Sequence, residues 1–500
     1  SGVHNKRSVV IMWRTLLYIP THVGQMPVFG FGLLFWAWVI LTIGLVWWQV
    51  RRHGWTNELW STVVLYGIVG VLIVLVLPRV TVDIPGLVDT KSQPVRGLPI
   101  RGYGSMLLLG VASAVGLAIY RAKRRGLSVE WVSNLALWCI IPGMIGARAF
   151  HVIEYWPIHY GPLWKTAGPI AGLMAIANVA QGGLVVYGSV IGGLLGIALY
   201  AWQQRTRFLS ILDLLTPCFL IGLAFGRIGC FLNGCCFGGV CELPWTVRFP
   251  AGSFAYLSQA EQGQLALYGI KFKEDPHHPQ RLPVILEVAA QSAAARAGVK
   301  PGRHIAAING LPLAGTEGES PTSRLVVQLI ALYGDPVVLE GGRGCVCSHG
   351  PNVIDISKIS RSGVSSNATH LPASHSIMIR IDTAEGDHYQ WETTEGLPAR
   401  SLAVHPSQLY SAANAAILCL FVLAYEPFRK REGELFAWFL ILYPVTRFLL
   451  EIIRADEPGS YGGLTIAQVV SLGLLVCGIA TWIYLWRFTP GEQPNQAKSP

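Results

Sequence analysis

Long apolar runs separated by short polar segments are the dominant pattern of this chain. Nine of them approach or exceed the ~20 mostly apolar residues that span the hydrocarbon core of a bilayer. They lie at residues 29–50, 61–78, 104–120, 131–150, 183–202, 211–232, 412–425, 434–453 and 464–486. The pattern predicts an all-α polytopic membrane protein with about nine transmembrane helices.

Basic residues mark one side of the membrane. Clusters follow the first, third, fifth, seventh and ninth runs, at residues 51–52, 121–125, 205–207, 429–431 and 487. Because cytoplasmic loops carry the excess of Lys and Arg, we expect an extracytoplasmic N-terminus and a cytoplasmic C-terminus. The segment Val9–Tyr18 contains Arg14 and is too short to span, so we expect it to lie at the membrane interface.

The composition agrees with this pattern. Of the 500 residues, 52% are hydrophobic and 13% are charged, whereas soluble domains carry roughly 25% charged residues. A soluble globular protein is therefore excluded. The net charge of +10 is explained by the basic loops, so no nucleic-acid partner is expected.

An internal repeat relates the first four apolar runs. Ten residues of helices 1 and 2 recur in helices 3 and 4 at a gapless offset of 72. The second copy has Tyr103 and Arg148 where the first has the apolar Phe31 and Val76. We interpret residues 1–96 as a degenerate duplicate that serves as scaffold. The alternative is that glycines and basic pairs recur by composition alone.

A long polar stretch, roughly residues 240–403, separates the sixth and seventh runs. Turn residues divide its core and predict a strand from Val284, a short helix that ends near Gly298, a turn at Pro301-Gly302 and a strand that ends at Asn309. An amphipathic helix, a strand and a flexible loop are expected further on, at residues 322–333, 336–339 and 357–374.

The alanine- and glycine-rich pattern of residues 294–310, ending in Ile-Asn-Gly, resembles that of a PDZ domain. The resemblance implies a small α+β domain at about residues 282–390, on the extracytoplasmic side. Arg303 departs from the PDZ pattern, where an Asp is usual, and no clear carboxylate-binding loop precedes Val284. A peptide ligand of this PDZ-like insert is therefore left open.

The sixth apolar run carries an arginine at membrane depth. Residues 225–238 read Phe-Gly-Arg-Ile-Gly-Cys-Phe-Leu-Asn-Gly-Cys-Cys-Phe-Gly. A cation at the depth of Arg227 costs at least ~2.5–3.5 kcal/mol and normally faces a polar cavity, a counter-charge or an anionic ligand. Since the glycines allow close backbone approach, the stretch predicts an intramembrane anion site.

Other polar residues gather near the ends of the apolar runs. Arg447, Glu451 and Arg454 share one face of the eighth run, at spacings of four and three. Asp213 opens the sixth run from the cytoplasmic side and is expected to be an N-cap. The remaining candidates are Tyr103, Arg148, His151, Tyr187, Asn233, His405, Gln408 and Tyr410.

Several arginines on separate helices favour phosphate as the anion, because guanidinium makes bidentate, permanently charged contacts with it. Arg148, Arg227 and Arg447 together indicate a phospholipid headgroup or a phosphate leaving group. The alternative is structural: Arg447 pairs with Glu451, and Arg227 extends toward the interface.

Four of the ten cysteines, Cys230, Cys235, Cys236 and Cys241, lie close together in the sequence. Their spacings fit no Cys-x2-Cys zinc pattern, so no metal site is expected. Two interpretations stay open: a disulfide from Cys241 to Cys235 or Cys236 in an oxidising compartment, or plain small side chains.

Together these motifs resemble the bacterial prolipoprotein diacylglyceryl transferase family, in one consistent order over roughly residues 97–238 and 403–486. The resemblance rests on Gly226–Cys235, the intact His-Pro-x-Gln-Leu-Tyr motif His405–Tyr410, Arg447 with Glu451, Tyr103-Gly104 and Gly146–Arg148. It implies transfer of a diacylglyceryl group from phosphatidylglycerol to the lipobox cysteine of a prolipoprotein in the bacterial cytoplasmic (inner) membrane. This is the first step of lipoprotein maturation.

The resemblance also implies the partners and the site. Phosphatidylglycerol and prolipoprotein signal peptides are the expected partners, glycerol phosphate leaves, and neither cofactor nor metal is required. The implied catalytic residues are Tyr187, Arg227, His405 and Arg447. The implied substrate-binding residues are Tyr103, Arg148, Asn233, Gln408, Tyr410, Glu451 and Arg454.

Three positions depart from the family pattern. Tyr187 stands where the family usually has a histidine, its favoured base candidate, and Cys230 and Cys235 replace an asparagine and a glutamate of the signature. Since tyrosine has a pKa of ~10, His405 and His151 are alternative bases for the thiol proton. The departures favour a second interpretation: a catalytically inactive relative that binds envelope proteins through its cavity and its PDZ-like insert.

The sequence thus divides into five regions. They are residues 1–96 (helices 1–2), 97–239 (core helices 3–6), 240–403 (the insert), 404–486 (core helices 7–9) and 487–500 (a cytoplasmic tail).

Overall fold

The computed structural model describes residues 15–23, 26–55, 57–88, 94–178, 183, 185–275, 277, 281–314, 320–332, 377–394, 397–454 and 463–488. Within these ranges, nine helices are long and apolar enough to cross a membrane. This confirms the polytopic membrane architecture predicted from the apolar runs. The described residues form two compact units, which divide between Ser105 and Met106.

The N-terminal unit combines two long helices with a small sheet. Its helices are α1 (Leu33–His53) and α2 (Asn57–Leu75). Its strands are β1 (Thr15–Pro20), β2 (His22–Val23), β3 (Met26–Pro27), β4 (Val82–Val88) and β5 (Pro94–Arg101). The order β1-β5-β4 gives a three-stranded antiparallel sheet, and β2 pairs with β3. The prediction of an all-α membrane region is therefore wrong in this unit.

The sheet was missed because its strands lack an alternating apolar pattern. Strand β5 reads Pro-Val-Arg-Gly-Leu-Pro-Ile-Arg, and proline and glycine normally argue against a strand. Residues 15–18 of the segment predicted to lie at the interface belong to β1 and pair with β5. Residues 9–14 lie outside the described residues.

The second unit holds the other helices, and the first residues of α3 belong to the N-terminal unit. The helices are α3 (Gly102–Arg124), α4 (Val129–Glu154), α5 (Gly161–Ala177), α6 (Val186–Gln203), α7 (Phe208–Asn233), α8 (Phe254–Glu261), α9 (Ala293–Arg296), α10 (Pro321–Ala331), α11 (Ser407–Tyr425), α12 (Glu434–Ile452) and α13 (Ile466–Phe488). Helix α5, kinked at Gly168, was not predicted. Helices α2 and α4 begin at Asn57 and Val129, positions related by the offset of the sequence repeat. The duplication itself stays a prediction.

Glycines let α4 and α6 pack backbone against backbone. A Cβ added at Gly188, Gly192 or Gly196 of α6 would overlap backbone carbonyl groups of α4. Such small-residue contacts drive helix association in membranes, where no hydrophobic effect draws helices together. The crossing fixes the position of Arg148 on α4 relative to the first turn of α6.

Asp213 caps a helix other than the one predicted. It lies inside α7, and its carboxylate accepts hydrogen bonds from the N–H groups of Gly433 (2.7 Å) and Phe436 (3.0 Å) at the start of α12. The prediction that it caps its own helix is wrong, because α7 begins earlier, at Phe208. A buried carboxylate thus satisfies the free N–H groups of a neighbouring helix.

The insert forms its own core. Its strands are β6 (Ile270–Glu274), β7 (Pro283–Val288), β8 (Ile305–Ile308), β9 (Leu311–Pro312), β10 (Ile377–Thr383) and β11 (His388–Thr393). They make a four-stranded sheet in the order β11-β10-β8-β9 and a β6-β7 hairpin. The predicted strand, short helix, strand and amphipathic helix are present as β7, α9, β8 and α10. The predicted strand at 336–339 and loop at 357–374 lie outside the described residues.

Candidate active site

The end of α7 builds the centre of the candidate site. Gly234 adopts a left-handed conformation (φ 75°), and its N–H donates to the carbonyls of Cys230 and Phe231. This arrangement closes the helix and reverses the chain. The reversal brings Cys235 and Cys236 back toward the last turn of α7.

Arg227 is a half-buried cation within the apolar span of α7. Among the described residues it forms no hydrogen bond or ion pair. Its electrostatic neighbours are Tyr443, Cys230, Cys236 and Arg454. The guanidinium group therefore retains its donors for a ligand.

Arg447, Glu451 and Arg454 form one network, as their spacing predicted. The Glu451 carboxylate is fully buried, pairs with Arg447 and lies 3.4 Å from Nη1 of Arg454. The hydroxyl of Thr465 donates to its other oxygen at 3.3 Å. The carboxylate thus holds two guanidinium groups at the C-terminal end of α12, so the pair foreseen as the structural alternative for Arg447 is present.

The His405–Tyr410 motif fastens the turn that follows α7. Ser407 Oγ donates to the carbonyl of Cys236, and Gln408 Nε2 donates to that of Cys235, each at 2.7 Å. Gln408 is buried, and its Oε1 accepts no hydrogen bond from the described residues. Ser407 and Gln408 therefore position the turn, and Gln408 still has an acceptor to offer.

The backbone of His405 pairs with the residues that follow this turn, and its ring contacts Tyr410. Its N–H donates to Gly239, and its carbonyl accepts from Gly238, both at 3.0 Å. Its Nδ1 is 3.5 Å from the hydroxyl of Tyr410, which also accepts from Nε1 of Trp245 at 2.7 Å. The imidazole thus stands at the α7 end, in contact with a phenol.

Asn233 and the cysteines complete the cluster at the end of α7. Nδ2 of Asn233 contacts Sγ of Cys235 at 3.7 Å. None of the four described cysteines from Cys230 to Cys241 forms a disulfide bond. The amide group of Asn233 is therefore directed toward the sulfur of Cys235.

Arg148 is engaged elsewhere. Its guanidinium donates to the carbonyls of Ala175, Ile176, Asn178 and Gly183, at 2.7 to 3.2 Å. Three of these carbonyls lie at the end of α5, where helix carbonyls lack intrahelical partners. In this arrangement Arg148 caps α5, and its predicted contact with phosphate stays a prediction.

His151 lies one turn beyond Arg148. Its Nδ1 is 3.2 Å from the hydroxyl of Tyr160, and its ring stacks on Tyr155. A side chain at Gly183 would overlap both Arg148 and His151. Gly183 therefore lies directly against these two residues.

The two remaining tyrosines lie at helix starts. Tyr187 is the second residue of α6 and is 38% exposed. Tyr103 is the second residue of α3, within the N-terminal unit, and is 37% exposed.

The sequence analysis missed four residues around the site. Tyr443 lies within electrostatic reach of Arg227, Thr465 binds Glu451, Ser407 fastens the turn, and Trp245 binds Tyr410. Tyr443 was detectable, since it precedes Arg447 by one helical turn and so shares the Arg447–Glu451 face. Trp245 and Thr465 are remote in sequence from their partners and gave no such signal.

Comparison with known proteins matches this chain to one family. The sequence model described as "Prolipoprotein diacylglyceryl transferase" matches residues 93–291 and 348–484. The chain is also similar to the phosphatidylglycerol–prolipoprotein diacylglyceryl transferase of Rhodopirellula baltica, with 32% identity over 95% of this chain and 90% of that protein.

Shorter alignments link the chain to proteins of the same name in other bacteria. The relative from Clostridium tetani is 36% identical over 32% of this chain and 59% of its own length. The relative from Synechocystis is 29% identical over 31% of this chain and 52% of its own length. The long match to the R. baltica protein therefore extends over regions that these shorter alignments do not reach.

Proposed function

The chain belongs to the prolipoprotein diacylglyceryl transferase family, and we infer that it transfers the diacylglyceryl group of phosphatidylglycerol to the lipobox cysteine thiol of a prolipoprotein. It is a membrane-embedded transferase. The inactive-relative alternative is not favoured, since the R. baltica similarity covers 95% of the chain.

The reaction needs a base and a group that stabilises an anion. The thiol loses a proton, its sulfur attacks the glyceryl carbon that bears the phosphate ester, and the carbon–oxygen bond breaks. Glycerol phosphate leaves with the bonding electron pair, and a thioether remains. Negative charge therefore develops on the leaving phosphate, where a fixed cation is most effective.

One observation carries the assignment of the phosphate site. Arg227 lies within an apolar span, and among the described residues it has neither a hydrogen-bond nor an ion-pair partner. Such a cation is costly in a membrane unless a ligand neutralises it. We assign Arg227 to the phosphate of the lipid, with Arg447, which pairs with Glu451, as a second phosphate contact.

The other predicted residues receive supporting roles. Gln408 and Tyr410 shape the site, and Asn233 and Arg454 contact the substrate beside Arg227 and Glu451. Arg148 acts as a positioning residue, because its donors cap α5. Tyr103 stays a candidate lipid contact on the strength of the family motif alone.

His405 is the proposed base. Imidazole titrates near neutral pH, and its ring lies beside the turn that ends α7. A phenol with a pKa of ~10 removes a thiol proton less readily at neutral pH, which disfavours Tyr187.

Transfer of diacylglyceryl from phosphatidylglycerol to a lipobox peptide tests the phosphate site. We expect Arg227→Ala to lower the turnover by about 10²–10³, the usual loss for one anion-stabilising donor. Arg227→Lys keeps the charge but loses the bidentate geometry, so we expect partial activity. Arg487→Ala, the same substitution at an exposed arginine of α13, is the matched control. Full activity of folded Arg227→Ala would refute the assignment.

Two variants decide the base. We expect His405→Ala to lose most of the turnover and Tyr187→Phe to retain most of it. The pH–rate profile should lose its acidic limb in His405→Ala only. If Tyr187→Phe instead lost most of the turnover and His405→Ala retained it, Tyr187 would be the base.

We propose that the protein lies in the bacterial inner membrane with its N-terminus and its PDZ-like insert extracytoplasmic and its C-terminus cytoplasmic. The alternating basic clusters support this orientation. A membrane-impermeant maleimide should label Cys345 and Cys347 of the insert in intact spheroplasts, and the double serine variant should lose that label. Labelling of these two cysteines only after permeabilisation would reverse the orientation.

We further propose a substrate-related role for the PDZ-like insert, namely binding of an extended peptide along strand β7. The strand–helix–strand order of β7, α9 and β8 supports the likeness. Leu286 of β7 is exposed, whereas its neighbour Ile285 belongs to the buried core. A fluorescent lipobox peptide should therefore bind the full chain with Leu286→Glu more weakly than it binds the unchanged chain. Unchanged affinity would argue against a peptide site on β7.

A further inference from the structure

Three cysteine sulfurs meet at the end of α7. The Sγ atoms of Cys230, Cys235 and Cys236 all lie within 4.8 Å of one another. Sγ of Cys235 also contacts the backbone carbonyl of Cys230 at 3.7 Å. Sequence spacing did not indicate this cluster, because it depends on the chain reversal at Gly234. The reversal brings Cys235 and Cys236, which follow the helix, next to Cys230 inside it.

The backbone holds this arrangement at a conformational cost. Cys236 has φ 60°, a region that non-glycine residues adopt at roughly 1–2 kcal/mol per residue. The carbonyls of Cys235 and Cys236 are fixed by Gln408 and Ser407. Strain that persists because surrounding bonds enforce it is typical of functional sites.

The separations suit a shared metal ion. A zinc–sulfur bond is about 2.3 Å long, so sulfurs in a tetrahedral site lie about 3.8 Å apart. Sulfurs that are already within 4.8 Å of one another need side-chain shifts of only about 1 Å to reach that spacing. Thiolates prefer soft ions such as Cu⁺ and Zn²⁺ over Mg²⁺ or Ca²⁺.

Positive charge lies beside the three sulfurs. Arg227 is an electrostatic neighbour of Cys230 and Cys236, and Arg454 lies close to Arg227. Three thiolates with Zn²⁺ carry a net charge of −1, and with Cu⁺ a charge of −2. The neighbouring guanidinium groups offset this charge, which an apolar setting would otherwise penalise.

We propose that Cys230, Cys235 and Cys236 form a binding site for one thiophilic metal ion. On binding, three thiols release three protons to solvent and three metal–sulfur bonds form, so no oxidant or reductant is needed. Zn²⁺ would take water as a fourth ligand, whereas Cu⁺ is satisfied by three sulfurs. The site lies beside Arg227 and is independent of the assignment of that residue to phosphate.

Metal titration of the full-length chain in detergent tests this site. The parent is the Cys345→Ser/Cys347→Ser variant, kept reduced, so that the cysteines of the insert do not contribute. Zn²⁺ and, in a separate anaerobic arm, Cu⁺ are titrated against a chelator, and bound metal is counted by mass spectrometry. We expect one ion per chain in at least one arm. Absence of stoichiometric binding in both arms would overturn the proposal.

Single serine variants assign the ligands. Loss of a residue that only hydrogen-bonds to a metal ligand typically costs 10–100-fold in metal affinity. Loss of a ligand itself should cost more, so we expect Cys230→Ser and Cys236→Ser each to weaken binding by about 100-fold or more. Cys477→Ser, in an exposed position on α13, should bind like the parent. Equal affinity in all three variants would refute the assignment.

Alkylation gives a readout that does not depend on how the variants fold. Maleimide should modify three fewer thiols of the parent when metal is bound than when it is absent. Peptide mapping should identify the three protected thiols as Cys230, Cys235 and Cys236. Protection of other cysteines, or of none, would contradict the site.

Discussion

At the residue scale, Glu451 holds a buried charge between two arginines. Its side chain has no exposed surface, and those of Arg447 and Arg454 are 14% and 10% exposed. Glu451→Gln keeps the shape and removes the charge, so both cations lose their counter-charge. Removing one partner of a buried ion pair costs roughly 3–5 kcal/mol. We expect a clear drop in the thermal unfolding midpoint in detergent.

Glu287→Gln is the matched control for that substitution. Glu287 pairs with Lys271 at 2.8 Å, but its side chain is 63% exposed. Exposed pairs contribute about 0.2–1 kcal/mol, so the midpoint should scarcely move. Equal shifts in the two variants would show that burial of Glu451 has no energetic consequence.

His304 makes the stability of the insert depend on pH. Its ring nitrogens lie 2.9 Å from Oδ2 of Asp275 and 2.6 Å from Oε1 of Glu385. The hydrogen bonds to Asp275 and then Glu385 raise the pKa of His304, and the hydrogen bond from His304 lowers the pKa of Asp275. The imidazolium is therefore more stable in the folded protein than in the unfolded chain.

The direction of the pH effect follows from the raised pKa. The stabilisation is fully present below the unfolded value of ~6.5 and is lost as the pH rises through the higher folded pKa. Unfolding midpoints of the parent and of His304→Gln should therefore converge as the pH rises from about 6 to about 8. A gap that stays constant across that range would contradict a charged His304.

Sequence alone found the residues whose partners are local. Arg447, Glu451 and Arg454 were placed together because helical spacing fixes which residues share a face. The contacts of Arg148 with α5 were not predictable, since α5 itself was not predicted. The interhelical cap formed by Asp213 was also missed, because its partners near Gly433 are distant in sequence.

At the element scale, the crossing of α4 and α6 depends on glycine. A Cβ at Gly196 would overlap the carbonyl of Trp138, so Gly196→Ala must push the helices apart. Overpacking costs typically 1–3 kcal/mol, and displacement of α4 moves Arg148. We expect lower thermal stability and slower transfer. Gly116→Ala on α3, where a Cβ meets nothing within 4 Å, should leave both unchanged, and equal losses in the two variants would refute the role of the crossing.

The elements themselves were predictable to different degrees. The nine spans followed from apolar length, which membrane thickness sets directly. Strands β7 and β8 of the insert followed from turn residues such as Gly298 and Gly302, which have positive φ. Strands β6, β9, β10 and β11 were not predicted. Strand β5 and helix α5 did not follow, because proline and glycine in each gave the signal of a break rather than of a continuous element.

At the scale of the whole molecule, the sequence repeat predicts that α1 and α2 are a degenerate duplicate of α3 and α4 that serves as scaffold. The family match begins at residue 93, so it omits α1 and α2. If these helices are scaffold, a chain that lacks residues 1–92 should still transfer lipid. Removal of an even number of spans also keeps the remaining basic clusters on their side of the membrane.

We expect the shortened chain to transfer diacylglyceryl within about tenfold of the full chain, a difference of about 1.4 kcal/mol in the barrier. The measurement is transfer in membranes, normalised to folded protein by size-exclusion chromatography. The same truncation with Arg227→Ala should be inactive, which ties any residual activity to the site at the end of α7. A folded but inactive truncation would mean that residues 1–92 contribute to transfer and are not scaffold alone.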